Sequence, residues 1–252
     1  MAQDGAVFPH PTEPRTAAGG ATDVVIEAWR GVAAWMVVYG DFWGFSGGDW
    51  APLRLTHTGV DLFFVVSGFV FAPYLFGRPL NARAHAVRRL FRLYPAYLLA
   101  LAVYAGMKVN TGQPLRYLGE HLTFLHVQSK EMAFYYNPPF WSLPAEVEFY
   151  LVLPLLAAAA GVTQRRWGAR GPTGLLAGLL LAAAGMRWAV GWASDSQAQN
   201  AAFIALHHLP GVLVEFLLGA AAWKVSKHKL SFKTLIFLVT FGLTGWWCLA
   251  LW

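Results

Sequence analysis

Long apolar stretches alternate with short polar ones along the 252-residue chain. A helix needs about 20 mostly apolar residues to cross the hydrocarbon core of a bilayer. Seven segments meet that length: 24–45, 57–77, 93–110, 139–160, 173–193, 203–222 and 234–252. The second, GVDLFFVVSGFVFAPYLF, and the fifth, GLLAGLLLAAAGM, are uninterrupted or nearly so. The first is broken by Glu27, Arg30 and Asp41. The pattern predicts an all-α integral membrane protein, a bundle of about seven transmembrane helices. Residues 1–22 hold three prolines, several Gly and Ala, and no apolar core. They read as a disordered lead-in without a cleavable signal peptide. Residues 23–252 read as the transmembrane domain.

The polar connections give the expected orientation. Arg78, Arg83, Arg88, Arg89 and Arg92 fall in 78–92, Arg165, Arg166 and Arg170 in 161–172, and Lys224, Lys227, Lys229 and Lys233 in 223–233. Together they are twelve of the nineteen basic residues. With seven spans, these three connections share one face. The positive-inside rule places that face and the N-terminus in the cytoplasm, as expected of a multi-pass protein of the cell membrane. Residues 111–138 become the longest external loop.

Composition sharpens this picture. Hydrophobic residues make up 57% of the chain and charged residues only 13%, about half the usual charged share of a soluble domain. Twelve Trp and eighteen Phe suit a lipid-facing surface with aromatic belts. The net charge of +6 is accounted for by the basic connections. No interleaved basic and aromatic patch suggests a nucleic-acid partner. Cys248 is the single cysteine, which excludes an internal disulfide and a cysteine-based metal site. No zinc-ligand spacing is present, and the adjacent His207 and His208 point to different helix faces. No metal is expected.

Ionisable groups within spans are costly and mark function by default. Asp41, Asp61, Glu146, Glu148 and Glu215 stand out. Arg30 and Asp41 bound the stretch RGVAAWMVVYGD. On a helix they lie about 16 Å apart at 1.5 Å per residue, almost three turns, and so share a face. They would line one cavity. The alternatives are that Arg30 snorkels to headgroups and pairs with Glu27, and that Asp41 sits in water at the interface beside Trp43 and Gly44.

Several motifs carry a resemblance. IEAWRGVAAWMVV (26–38), GVDLFFVVSGFVF (59–71), RRLFRLYPAY (88–97) and FWSLPAEVEFYLVLPLL (140–156), with LPGVLVEFLLG (209–219) more loosely, come in the order found in the membrane-bound acyltransferase-3 family. The chain resembles that family from about residue 23 to 222. The resemblance implies an O-acyltransferase that moves an acyl group, often acetyl, from cytoplasmic acyl-CoA to a hydroxyl of an extracytoplasmic glycan or lipid-linked sugar. That chemistry is envelope polysaccharide modification. It also implies further C-terminal spans, so the chain reads as short for the family. In the family's first span a basic residue precedes a histidine base by eleven positions. Arg30 matches the cation, but Asp41 stands where the histidine belongs. An unperturbed aspartate near pKa 4 is a poor base for an alcohol, although burial improves it. His57, His121 and His126 are alternative bases. The resemblance assigns Arg88, Arg89 and Arg92 to the phosphates of acyl-CoA, with Arg89 and Arg92 on one helix face. It assigns Glu146 to orienting the base or the acceptor. Glu148 stands where the family usually has glutamine. Asp61 is open between a helix cap and a site role, and Trp141 is expected to pack. The expected catalytic set is Asp41, Arg30 and Glu146. The competing expectations are a catalytically inactive relative and a proton-coupled small-molecule transporter.

Overall fold

The computed structural model describes residues 17–42, 58–192 and 199–228, with the backbone alone at 17–23, 41, 42 and 192. Every regular element among them is helical. The elements are α1 (Ala17–Phe42), α2 (Gly59–Leu75), α3 (Ala82–Asn110), the short α4 (Leu118–Leu122) and α5 (Lys130–Ala133), a 3-10 turn (Pro138–Trp141), α6 (Ser142–Trp167), α7 (Arg170–Trp192), α8 (Gln199–His207) and α9 (Leu209–Ser226). Four stretches are long and apolar enough to span a membrane: Ala82–Asn110, Pro138–Trp167, Arg170–Gly191 and Gln199–Ser226. Gly59–Leu75 is apolar but shorter. The expected first span is helical as α1, though its charges keep it out of that group. The expected seventh span, 234–252, lies outside the described residues.

Two boundaries differ from the hydropathy reading. Residues 78–92 were expected to connect spans, yet α3 begins at Ala82 and carries Arg83, Arg88, Arg89 and Arg92. The Asn81 side chain accepts the Ala84 N–H at 3.0 Å and starts the helix there. An apolar window cannot see these first turns because their arginines dilute it. The sixth expected span is two helices. The chain turns extended at His208 (φ −95°, ψ 173°), and Pro210 sits in the first turn of α9. The Glu148 carboxylate on α6 accepts the Leu209 N–H at 2.7 Å and caps α9 from another helix.

α2 and α9 form the tightest seam. A Cβ on Gly68 would fall 1.8 Å from the Phe216 carbonyl oxygen, and one on Gly219 would fall 1.9 Å from that of Val65. Only glycine at both positions lets the backbones meet, as at small-residue crossings of membrane helices. Around this crossing Phe64, Phe71, Phe149, Tyr150, Leu153, Val212 and Phe216 form the main core, with Phe149 and Phe216 stacked at 3.9 Å. α1 joins through Gly59, where a Cβ would meet Ala33, Met36 and Val37 within 3 Å. α7 docks on α2 and α9 through Leu176, Ala72, Leu217 and Ala220.

The outside is apolar. Leu181 is 76% exposed, and Phe91, Leu99, Leu155 and Trp188 are similarly bare. Such a surface is suited to lipid cover. The described parts of the three basic connections, 78–92, 161–172 and 223–228, gather at one end. Phe76 stacks on Trp223 at 5.4 Å, Lys224 Nζ lies 4.9 Å from the Phe76 ring, and the Gln164 side chain reaches toward Gly77. The opposite end carries residues 111–137. Their backbone is tied to α3 by the Tyr94 and Tyr97 hydroxyls, which donate to the carbonyls of Leu122 (2.7 Å) and His121 (2.8 Å).

Candidate functional site

Glu146 lies one turn into α6 and Tyr150 one turn further on. That spacing stacks them on one face, and the Tyr150 hydroxyl donates to Glu146 Oε1. Three cations from two other helices lie within electrostatic range of the carboxyl. Arg30 of α1 and Arg92 and Arg89 of α3 all act on it electrostatically. Arg89 is half-buried, its guanidinium 4.5 Å from the Phe71 ring and 5.7 Å from that of Tyr150. Arg30 also lies within electrostatic range of Arg89. Its side chain is only 19% exposed, and Nη1 donates to Glu27 Oε1 at 2.6 Å. The local pairing with Glu27 and the approach to Glu146 are therefore both present. His85 completes the layer, edge-on to Phe71 at 5.3 Å and to Tyr150 at 5.8 Å. Arg89 Nε and His85 Nε2 are buried without a hydrogen-bond partner among the described residues, an unmet demand that a polar ligand or water would answer.

The structure thus brings together Arg30, Arg89, Arg92 and Glu146. Arg88 stands apart: it is exposed, one position out of phase with that face. Asp41 is the penultimate residue of α1, on the same unbroken helix as Arg30, and its side chain lies outside the described residues. So does His57. Tyr150 and His85 were not singled out from the sequence. The i, i+4 relation of Tyr150 to Glu146 was legible, whereas His85 reaches the site only through folding.

The remaining charges belong elsewhere. Arg187 of α7 donates to Glu215 of α9, and Asp61, in the first turn of α2, feels both groups. Glu148 faces away from Glu146, as the two-residue spacing requires. Besides capping α9 it accepts from His208 Nδ1. His208 Nε2 in turn donates to the Val127 carbonyl at 3.0 Å, which pins the 111–137 segment to the bundle. Trp141 packs edge-on to Phe64 at 6.1 Å and His207 at 4.7 Å.

His121 and His126 are fully buried and stacked at 4.0 Å. His121 Nδ1 donates to the Tyr117 carbonyl at 2.9 Å, and His126 Nε2 to the Phe140 carbonyl at 3.0 Å. Burial, with the neighbouring His126, pulls the His121 pKa down to about 4 against the pull of that carbonyl. Burial also lowers that of His126. Two neutral rings bonded to backbone act as a structural plug between α3 and the 3-10 turn. Among the described residues no group of His, Cys, Asp and Glu has the arrangement of a metal site.

Comparison with known proteins follows the same lines. The sequence profile described as an acyltransferase domain matches residues 23–252. A protein of Komagataeibacter xylinus, assigned by inference as the membrane-bound transacylase BcsY, is 28% identical over 225 residues, 81% of this chain and 52% of its own. Protein 2 in the picA locus of Rhizobium radiobacter is 38% identical over 87 residues, 32% of this chain and 44% of its own. The chain therefore spans about half the length of the curated relatives it matches. No solved structure matches it. With four signature segments on the helices that carry the site and the profile match covering nearly all of the chain, this protein belongs to the acyltransferase-3 family of membrane proteins.

Proposed function

We propose that the protein is a membrane O-acyltransferase that takes an acyl group, acetyl in the simplest case, from acyl-CoA at the arginine-rich end of the bundle. On this reading that end faces the cytoplasm, and the acceptor is a hydroxyl of an envelope glycan or lipid-linked sugar. One observation carries the reading: Arg30 of α1 and Arg89 and Arg92 of α3 come within electrostatic range of the Glu146–Tyr150 pair of α6, and none of them is in direct ionic contact with Glu146. The acceptor oxygen attacks the thioester carbonyl carbon as a base removes its proton. The carbon–sulfur bond breaks, and the CoA thiolate leaves and takes up a proton. Arg30, Arg89 and Arg92 offset the negative charge that develops on the carbonyl oxygen and sulfur. Glu146, oriented by Tyr150, positions the acceptor or the base. Asp41 stands at the family's base position. Of the alternatives, His121 and His126 are committed to backbone carbonyls deep in the fold.

Labelled acetyl-CoA supplied to inverted membrane vesicles tests this reading. Label in lumenal glycan supports it, and Glu146→Gln should slow the transfer about 1000-fold. Asp41→His raising the rate would place the base at that position. If neither the wild type nor Asp41→His transfers label, the reading fails for this chain. A proton-coupled carrier draws on Asp61 and Glu215 around Arg187. It predicts proton-linked uptake without acyl-CoA consumption in the same vesicles.

A further inference from the structure

The connector between α2 and α3 runs beside the C-terminal half of α6 across a cleft of about 510 Å³. Pro154, Ala157, Ala158 and Gly161 of α6 line it. These positions are three and four apart and share one helix face. Their short side chains leave the groove open. A polar border faces them, formed by Arg78, Gln164 and Arg165. The Gln164 amide reaches across the groove, its Oε1 3.6 Å from the place a Cβ on Gly77 would take. Arg165 folds back along the groove, with Nη1 3.8 Å from the corresponding place at Gly161. No carboxylate lines the cleft, and neither arginine is ion-paired among the described residues. Arg88, Arg89 and Arg92 take no part in it. Tyr74, at its edge, lies 6.4 Å from the rings of both Phe71 and His85. The cleft therefore abuts the aromatic layer beneath Arg89.

We propose that this cleft binds a phosphate-bearing group between Arg78 and Arg165, with the Gln164 amide as a neutral donor. Two guanidinium forks in a groove free of carboxylates suit phosphate oxygens. Ordinary positive-inside charge does not require a groove, nor side chains turned into one. The phosphate has two candidate sources: the nucleotide end of a CoA thioester or the headgroup of an anionic lipid. Naming the first source rests on the acyl-CoA reading above; the cleft itself does not.

The test uses the full chain in detergent micelles, with adenosine 3′,5′-bisphosphate as a soluble probe and phosphatidylglycerol or phosphatidylcholine dissolved in the same micelles as lipid probes. Three variants are compared. R78A/R165A removes both forks. Gly161→Leu fills the groove and leaves the charge unchanged. Arg166→Ala removes one neighbouring charge, on a residue that stacks against Trp167 at 5.4 Å and does not line the cleft. Helix content and melting temperature confirm folding of each. We expect R78A/R165A to weaken nucleotide binding about 100-fold, about tenfold per arginine. Gly161→Leu should weaken it about tenfold, and Arg166→Ala by less than about threefold. If that pattern appears with phosphatidylglycerol and not with the nucleotide, the cleft takes a lipid headgroup. The proposal stands in that case, and the acyl-CoA reading loses this support. The proposal is overturned if Arg166→Ala costs as much as R78A/R165A, if Gly161→Leu binds normally, or if the wild type holds neither probe.

Discussion

Glu146 and Glu215 are both carboxylates within the helix bundle, and their surroundings differ in kind. Glu215 sits one turn before Gly219 in the tight α2–α9 seam, 8% exposed, with Arg187 as a direct ionic partner. Glu146 has a tyrosine hydroxyl as its direct partner, while three arginines stand at longer range. A contact pair in a packed seam is spent on holding two helices together. Arg89 and Arg92, which have no carboxylate in direct contact among the described residues, remain available to a ligand, whereas Arg30 is shared with Glu27. The difference teaches that intramembrane charge alone does not mark the site; the pairing pattern does.

The largest way to break this contrast is mechanical. Gly219→Leu forces a side chain onto the Val65 carbonyl and should cost about 5 kcal/mol or more. Loss of monodisperse protein on size-exclusion chromatography would show it, and wild-type elution would refute the seam as described. Glu146→Gln should keep the fold and slow acyl transfer about 1000-fold, within the range for removing an acid–base or orienting group. Initial rates in vesicles read this effect, and a rate within threefold of wild type would remove Glu146 from the site. Glu215→Gln should do the reverse. Leaving Arg187 without its carboxylate should lower stability by about 3 kcal/mol, seen as a fall in melting temperature, with transfer per folded molecule retained. Tyr150→Phe removes one hydrogen bond to a charged group, worth about 1.5 kcal/mol. It should slow transfer about tenfold without moving the melting temperature as far as Glu215→Gln does.

A smaller effect comes from the 111–137 segment, whose buried histidines are held by neutral bonding alone. The His121 pKa is about 4 in the fold and 6.5 as the ordinary value. Above pH 6.5 both states are neutral and stability does not respond. Between pH 6.5 and 4 the unfolded segment takes up a proton that the fold refuses, so stability falls as pH falls. Protease cleavage within 111–137 should quicken from pH 7 to pH 5, and His121→Phe should flatten that dependence.

Much was legible in the chain itself. Apolar runs marked α2, α3, α6 and α7, and among the described residues the basic connections lie toward one end. Four motifs in order named the family, and a two-residue offset put Glu148 on a different face from Glu146. The boundary of α3 was misread because arginines within a helix look like a loop to any average of hydropathy. The split at His208 was missed because its capping carboxylate comes from α6, 61 residues away.

What the sequence determined by itself was the solvent this protein prefers, the class of its fold and the residues able to carry charge into a membrane. Those are local properties, set by side-chain hydrophobicity and helical period. Only the tertiary structure decided which charges meet. Whether an arginine is neutralised, stacked on a ring or left facing a carboxylate depends on helix crossings such as Gly68 against Phe216. Contacts between residues far apart in sequence leave no periodic trace for the sequence to show.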